Sequence, residues 1–211
     1  MLDIYTLPVT FFEQNCRIIA DKEKKMAVIV DPGGNADIVH RVLEQYDLTC
    51  TAILLTHGHL DHVGAAPELS HLCGCPIIGP HSDDTFLFES LSEQARTFGL
   101  EQCSPFMPEF VEDGQELKLL PDVVFKTIVT PGHTPGGVCF YCQQQHFVLA
   151  GDTLFAGSIG RSDFARGNYD DLVDSIRKRL YTLPEDTDVL SGHGPNTTIG
   201  RERAGNPFVN G

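Results

Sequence analysis

No long hydrophobic run is present: nothing in the 211 residues approaches the roughly 18 consecutive apolar residues that a membrane-spanning helix needs. Positive charge is scarce, with 15 Lys and Arg against 29 Asp and Glu and a formal net charge of −14. That balance argues against nucleic-acid and anionic-membrane partners, which dock on basic patches. The opening Met1-Leu2-Asp3-Ile4-Tyr5 carries neither a basic segment nor an apolar core, so no signal peptide is expected. The seven cysteines are odd in number and scattered, which fits reduced thiols in the cytoplasm better than a disulfide framework. Low-complexity segments and short tandem repeats are missing too. What is left is ordinary globular material, 41% hydrophobic and 21% charged, long enough for one large domain or two halves around a shared core.

Against that plain background one stretch stands out, Thr56-His57-Gly58-His59-Leu60-Asp61-His62. It packs three imidazoles and a carboxylate into six residues, directly after the apolar run Ala52-Ile53-Leu54-Leu55. Neutral imidazole and carboxylate are the usual nitrogen and oxygen ligands of zinc and iron. Burying four such groups without partners would be costly, and the C-terminal end of a buried strand is where α/β sheets place their sites. Three further residues share the same placement. His133 lies in Thr130-Pro131-Gly132-His133, Asp152 follows Phe147-Val148-Leu149-Ala150-Gly151, and His193 follows Leu190-Ser191-Gly192. Each comes after a β-type apolar segment and a Gly or Pro that marks a turn. His57, His59, Asp61, His62, His133, Asp152 and His193 are thus seven candidate metal ligands on four loops.

The remaining periodicity sorts into strands and helices. Residues 18–20 and 26–30 read as strands around the turn 21–25, and 51–55 as the strand feeding the ligand run. Helical spacing appears over 37–46, with Ile38, Val39, Val42 and Leu43 on one side, then over 63–72 and 83–98. A short strand is expected at 76–78. Residues 102–113 hold two Pro and little periodicity and form the best candidate crossover. Strands follow at 116–120, 123–130, 137–142 and 146–150, then a helix at 170–180 and a last strand at 187–190. Cys73-Gly74-Cys75 and Cys139-Phe140-Tyr141-Cys142 have spacings that would suit a metal or redox pair, although inert buried thiols explain them more simply. Cys139 and Cys142 are expected on opposite faces of their strand.

Taken together, these motifs resemble the metallo-β-lactamase superfamily over essentially the whole chain. The similarity is closest to its glyoxalase II-like (hydroxyacylglutathione hydrolase-like) members, in particular the small single-domain bacterial branch. It is carried by residues 56–62 and 131–136, by Gly151-Asp152-Thr153, by Gly160-Arg161-Ser162-Asp163 and by Gly192-His193-Gly194-Pro195. Phe12-Glu13-Gln14-Asn15-Cys16 and Val30-Asp31-Pro32-Gly33-Gly34 fit as well. The resemblance implies an α/β fold, a four-layer αβ/βα sandwich with metals at one edge of two sheets. It implies a single domain over 1–211 whose two similar halves meet near 102–113. Only about 18 residues follow His193, too few for the C-terminal helical domain with which larger relatives hold glutathione. It also implies two divalent cations, zinc foremost with iron or manganese as alternatives. His57, His59 and His133 would hold one, Asp61, His62 and His193 the other, and Asp152 would bridge them together with a hydroxide.

The activity implied is hydrolysis of a small-molecule thioester such as S-D-lactoylglutathione, with Asp61, Asp152 and Arg161 in catalytic roles. Arg161 stands where larger relatives carry a Lys against the glutathione moiety, and an ion pair with Asp163 is its plainer reading. A second possibility is a mononuclear non-haem iron enzyme similar to the persulfide dioxygenases, whose Gly-Arg-Thr-Asp loop is close to Gly160-Arg161-Ser162-Asp163. It would use His57, His133 and Asp152 as a two-His-one-carboxylate triad.

Overall fold

The computed structural model describes residues 2–209. β1 (Asp3–Val9) pairs antiparallel with β2 (Gln14–Asp21), which turns back into β3 (Met26–Val30). α1 (Ala36–Gln45) then carries the chain to β4 (Thr49–Leu54), parallel to β3. α2 (Leu60–Val63) and α3 (Ala66–Cys73) lead to β5 (Ile77–Ile78), parallel to β4, and α4 (Thr85–Glu89) and α5 (Leu91–Phe98) close this half. Residues 99–115 form no helix, and a lone bridge from Glu109 to Ile78 ties them to the first sheet on their way to the second. There β6 (Glu116–Leu120), β7 (Val123–Val129), β8 (Val138–Cys142) and β9 (Phe147–Gly151) form an antiparallel meander. A hairpin of β10 (Leu154–Phe155) and β11 (Ser158–Ile159) follows, then α6 (Tyr169–Lys178) and β12 (Asp188–Ser191), parallel to β9. β13 (Thr197–Thr198) and α7 (Ile199–Gly205) complete the described chain.

The sheets run β1-β2-β3-β4-β5 and β13-β12-β9-β8-β7-β6. Their central strands are continuous apolar runs, which means that both faces are covered. Ile19, Val28 and Leu54 of the first sheet meet Phe125, Phe140 and Leu149 of the second in the middle of the molecule. On the outside, Val39, Leu43, Leu69 and Leu91 cover Ile18, Ile29 and Ile53 of the first sheet. Leu172, Ile176 and Ile199 cover Cys139, Val148 and Val189 of the second. Helix, sheet, sheet, helix is the αβ/βα sandwich that the family resemblance implies. Cys139 and Cys142 do face opposite ways, one under the outer helices and the other between the sheets.

Local expectations fail in instructive places. β1 is an edge strand whose residues are mostly half-buried or exposed, and its Pro8 is tolerated only because an edge leaves one side unpaired. The helix expected at 63–72 starts earlier and breaks in two. The Ala65 amide turns to the Pro32 carbonyl at 2.9 Å, and Pro67, lacking an N–H, opens α3. The helix expected at 83–98 breaks at Ser90, whose hydroxyl donates to the Leu87 carbonyl at 3.1 Å. On α1, Ile38 faces solvent, and the covered stripe is Ala36, Val39 and Leu43.

Truncating the middle of the core tests this layering. Phe140→Ala is expected to lower unfolding free energy in urea by about 3–5 kcal/mol. Ile38→Ser should change it by no more than about 0.5 kcal/mol.

Candidate metal centre

Because β3 runs parallel to β4, and β9 to β12, the turns leaving their C-terminal ends open at a common edge of the sandwich. β4 delivers residues 56–62, β9 delivers Asp152, β12 delivers His193, and the turn from β7 to β8 delivers His133. The two sheets are clipped together here by their own backbones. The Asn15 amide donates to the Gly192 carbonyl at 2.7 Å, and the Val138 amide donates to the Thr56 carbonyl at 2.8 Å. All seven ligand candidates named from the sequence converge at this edge.

They form two groups. The ring nitrogens of His57, His59 and His133 lie within 4.8 Å of one another, and so do the ligand atoms of Asp61, His62 and His193. Asp152 reaches both: Oδ1 is 3.4 Å from His62 Nε2, and Oδ2 is 3.7 Å from His133 Nε2 and from His193 Nε2. His57 Nε2, His62 Nε2 and Asp152 Oδ1 are buried with no hydrogen-bond partner. An unsatisfied buried polar atom costs about 1–3 kcal/mol, so three at one point need a common explanation. Nitrogen and carboxylate donors converging from several sides fit divalent metal binding.

The imidazoles are held in orientation from behind. Asp31 Oδ2 lies 3.0 Å from His62 Nδ1, with Gln14 Nε2 at 3.3 Å from the same nitrogen. Asp31 also accepts from the Thr56 amide at 2.7 Å and the Thr56 hydroxyl at 2.6 Å. Its backbone sits at φ 48, the left-handed region that Asp tolerates better than most side chains. His133 Nδ1–H donates to the Arg161 carbonyl at 2.6 Å, and His193 Nδ1–H donates to the Phe12 carbonyl at 3.2 Å. Each of those bonds leaves Nε2 with a free lone pair on the side of Asp152, as a metal ligand requires. His59 instead turns Nδ1 inward, 3.0 Å from His133 Nε2.

Electrostatics separate the two groups. Burial first, and then the neighbouring imidazoles, hold His57 well below the usual histidine range and push His59 down to about 3. Burial acts the same way on His62, but the Asp152 and Asp61 carboxylates outweigh it and raise the ring. Burial would raise Asp152, yet His62 and its neighbours hold that carboxyl far below its ordinary value. One group therefore consists of neutral imidazoles, while in the other the carboxylates draw a proton onto His62, a positive charge that a bound cation would replace.

Other residues that build the site gave no signal in the sequence. Asp84 Oδ2 accepts from the Gly58 amide and the Thr134 hydroxyl, both at 2.9 Å, and its Oδ1 accepts from the Gly136 amide at 2.7 Å. It joins the 56–62 turn to the 130–137 turn, and burial pushes its carboxyl up to about 6 in spite of those bonds. Arg17, buried in β2, donates to the Thr6 hydroxyl, the Ser191 carbonyl and the Asn196 side chain at 2.6–2.9 Å. Arg161 is placed differently from the candidate ligands. Its carbonyl orients His133, while its exposed guanidinium pairs with both oxygens of Asp163 at 2.9 Å and lies over Phe164. Above the centre opens a cavity of about 340 Å³, walled largely by Phe12, Phe98, Leu100, Phe155, Ile159 and Phe164.

Comparison with known proteins agrees with this fold. The family described as the Metallo-beta-lactamase superfamily matches residues 9–193. A Haemophilus influenzae protein named hydroxyacylglutathione hydrolase GloC is 47% identical over 211 residues, covering 99% of each chain. Among solved structures, the BLEG-1 B3 metallo-beta-lactamase superposes with a TM-score of 0.91 at 35% identity, over 99% of this chain and 100% of that one. TTHA1623 in a di-iron-bound form gives 0.87 at 36% identity, over 97% and 99%.

Two substitutions probe the frame rather than the ligands. A Cβ on Gly192 would lie 2.3 Å from Asp152 Oδ1 and 2.7 Å from His62 Cε1. Gly192→Ala should therefore abolish tight metal uptake, measured by metal analysis after dialysis, while circular dichroism stays native. Asp84→Asn puts an amide donor against groups that already donate. It is expected to weaken metal affinity by roughly 10–100-fold in competition with a chromophoric chelator.

Proposed function

The chain belongs to the metallo-β-lactamase superfamily, and we propose that it serves there as a binuclear metallohydrolase of the glyoxalase II type, cleaving a small thioester such as S-D-lactoylglutathione. The observation that carries this reading is the completeness of the second group. Asp61, His62 and His193 stand together, His62 is fixed by Asp31, and Asp152 touches both groups. A mononuclear dioxygenase using His57, His133 and Asp152 would have no use for that second, oriented set.

In this reading His57, His59 and His133 would hold one divalent cation and Asp61, His62 and His193 a second, with Asp152 between them. Zinc is the first choice, and iron or manganese suits the same donors. What such a pair supplies when bound is Lewis acidity, giving hydroxide from water near neutral pH and stabilising charge that develops on a carbonyl oxygen. The chain's own residues do the rest. Asp31 and the carbonyls of Arg161 and Phe12 keep the imidazoles in one tautomer and one direction. Asp84 keeps two ligand turns in register across the sheet edge. The aromatic wall thins water around the centre and offers apolar surface to an acyl group or thiol carrier.

Arg161 is the cation that lines this cavity, and an anionic carrier such as glutathione would have to compete with Asp163 for it. The whole of 1–211 acts as one catalytic unit whose halves meet near 102–113. Its cysteines are free thiols, which supports a cytoplasmic enzyme acting on a small metabolite, and no described helix is long and apolar enough to cross a membrane.

Thioester hydrolysis tests the proposal directly. Protein loaded separately with zinc, iron or manganese is given S-D-lactoylglutathione, and loss of thioester absorbance is followed. At least one metal form should reach a kcat/KM above roughly 10⁴ M⁻¹s⁻¹, and His193→Ala should bring it close to background. No turnover with any metal would remove this substrate class, and full turnover in His193→Ala would remove the two-cation scheme.

A further inference from the structure

The cysteines fall into two kinds. Cys16, Cys139 and Cys142 are buried within strands, and burial pushes the Cys139 and Cys103 thiols up to about 11. Such thiols are poor nucleophiles. Cys50, Cys73 and Cys75 differ because the fold brings them together. Cys50 lies near the start of β4, Cys73 is the last residue of α3, and Cys75 follows Gly74, which ends that helix at φ 65. The Cys75 and Cys50 sulfurs are in contact at 3.7 Å. Cys73 is only half-buried and shares with Cys50 the wall of a cavity of about 420 Å³, together with His40, Glu44 and Asp47. Hydrogen bonding from Cys50, aided by Cys75 and opposed by partial burial, holds the Cys73 thiol at about 7.

We propose that Cys50, Cys73 and Cys75 form a peroxide-reactive thiol site, at the opposite end of β4 from the metal ligands, that closes to a disulfide. Cys73 carries the first step because it combines exposure with a stabilised thiolate. Its sulfur attacks one oxygen of hydrogen peroxide, the O–O bond breaks, and Cys73 becomes a sulfenic acid as the departing hydroxide takes up a proton to leave as water. The Cys50 thiol, kept protonated by its hydrogen bonds to Cys73 and Cys75 and by burial, then attacks the Cys73 sulfur as its proton passes to the sulfenic hydroxyl. An S–S bond forms, the S–O bond breaks, and the hydroxyl leaves with the Cys50 proton as a second water. Two electrons have passed from two thiols to the peroxide. Cys75, in contact with Cys50, can next attack it, moving the disulfide to the Cys50–Cys75 pair and returning Cys73 as a thiol.

The charge around the site selects the oxidant. Asp47 at the cavity border is paired with Lys25, so the discrimination comes from Glu44 and the chain's formal charge of −14, which disfavour an anionic partner such as glutathione disulfide. Neutral peroxide meets no such barrier. The bond would also act on the rest of the molecule. Cys50 and Cys75 are 25 residues apart, and the loop between them contains the whole 56–62 ligand run. A disulfide there would tie β4 to the far end of α3 and stiffen the segment that presents His57, His59, Asp61 and His62.

The test uses reduced, zinc-loaded full chain, since zinc adds no redox chemistry of its own, treated with one equivalent of hydrogen peroxide. Remaining thiols are alkylated and the peptides mapped by mass spectrometry. The expected result is one disulfide within Cys50, Cys73 and Cys75, with Cys16, Cys103, Cys139 and Cys142 still alkylated, and a rise of a few degrees in the thermal midpoint. Cys73→Ser, at a half-buried position that should not disturb folding, should slow disulfide formation by at least roughly 10-fold. Cys75→Ser should trap the Cys50–Cys73 bond. Oxidation appearing first at any of the other four cysteines, a wild-type rate in Cys73→Ser, or over-oxidised Cys73 with no disulfide would each overturn the proposal.

Discussion

Asp152 is the point on which the rest of this structure turns. A carboxylate, nearly buried, faces the imidazoles of His62, His133 and His193 at distances of 3.4–3.7 Å. Charged and polar groups leave water at a cost of several kcal/mol unless something compensates them. The compensation here comes from geometry shared by two sheets. One supplies residues 56–62 from β4, and the other supplies Asp152 and His193 from β9 and β12. Neither sheet alone contains the centre, so their edges must be held in register to within a fraction of an ångström. Arg17, Asn15, Asp84 and Asp31 do that, each by two or more hydrogen bonds across the seam or behind a ligand. Gly192 belongs to the same constraint, because the seam leaves no room for a side chain beside Asp152.

The parts of this arrangement that the sequence reveals are the parts encoded locally. His57, His59, Asp61 and His62 are legible because four ligand-type side chains stand in six residues after an apolar strand. His133, Asp152 and His193 are weak one by one and become legible through their common setting, an apolar run followed by Gly or Pro. The αβ/βα layering is legible mainly through the family resemblance. What stays hidden is long-range. Arg17 meets Ser191 across 174 positions and Asp84 meets Gly136 across 52, and no period or motif announces either contact. Gln14 and Asp31 stand in motifs noted in the sequence, yet their partner His62 is visible only in the fold. β1 escapes because an edge strand need not alternate cleanly, and Ile38 misleads because apolar side chains at helical spacing are not always covered.

Rigidity and chemistry are divided along β4. Its C-terminal end feeds the turn that carries the candidate ligands, which Asp31, Asp84 and Gln94 hold by hydrogen bonds. Its N-terminal end carries Cys50, in contact with Cys75 and beside an open cavity. The cavity above the candidate centre is largely apolar, with the Arg161 guanidinium paired to Asp163. These features describe a candidate metal centre whose imidazoles are held from behind and which opens into a largely apolar cavity bordered by one paired guanidinium. The 47% identity to hydroxyacylglutathione hydrolase GloC and the 0.91 superposition on BLEG-1 B3 metallo-beta-lactamase show how one such frame accompanies differently named activities.

The central claim is that seven residues from four turns assemble two adjoining cation sites. Crystals of metal-loaded protein, with anomalous diffraction recorded on either side of the metal absorption edge, address it most directly. The account predicts two anomalous peaks per chain, one among His57, His59 and His133 and one among Asp61, His62 and His193, with Asp152 in contact with both. A single fully occupied peak on His57, His133 and Asp152, with the second group unliganded at saturating metal, would contradict it.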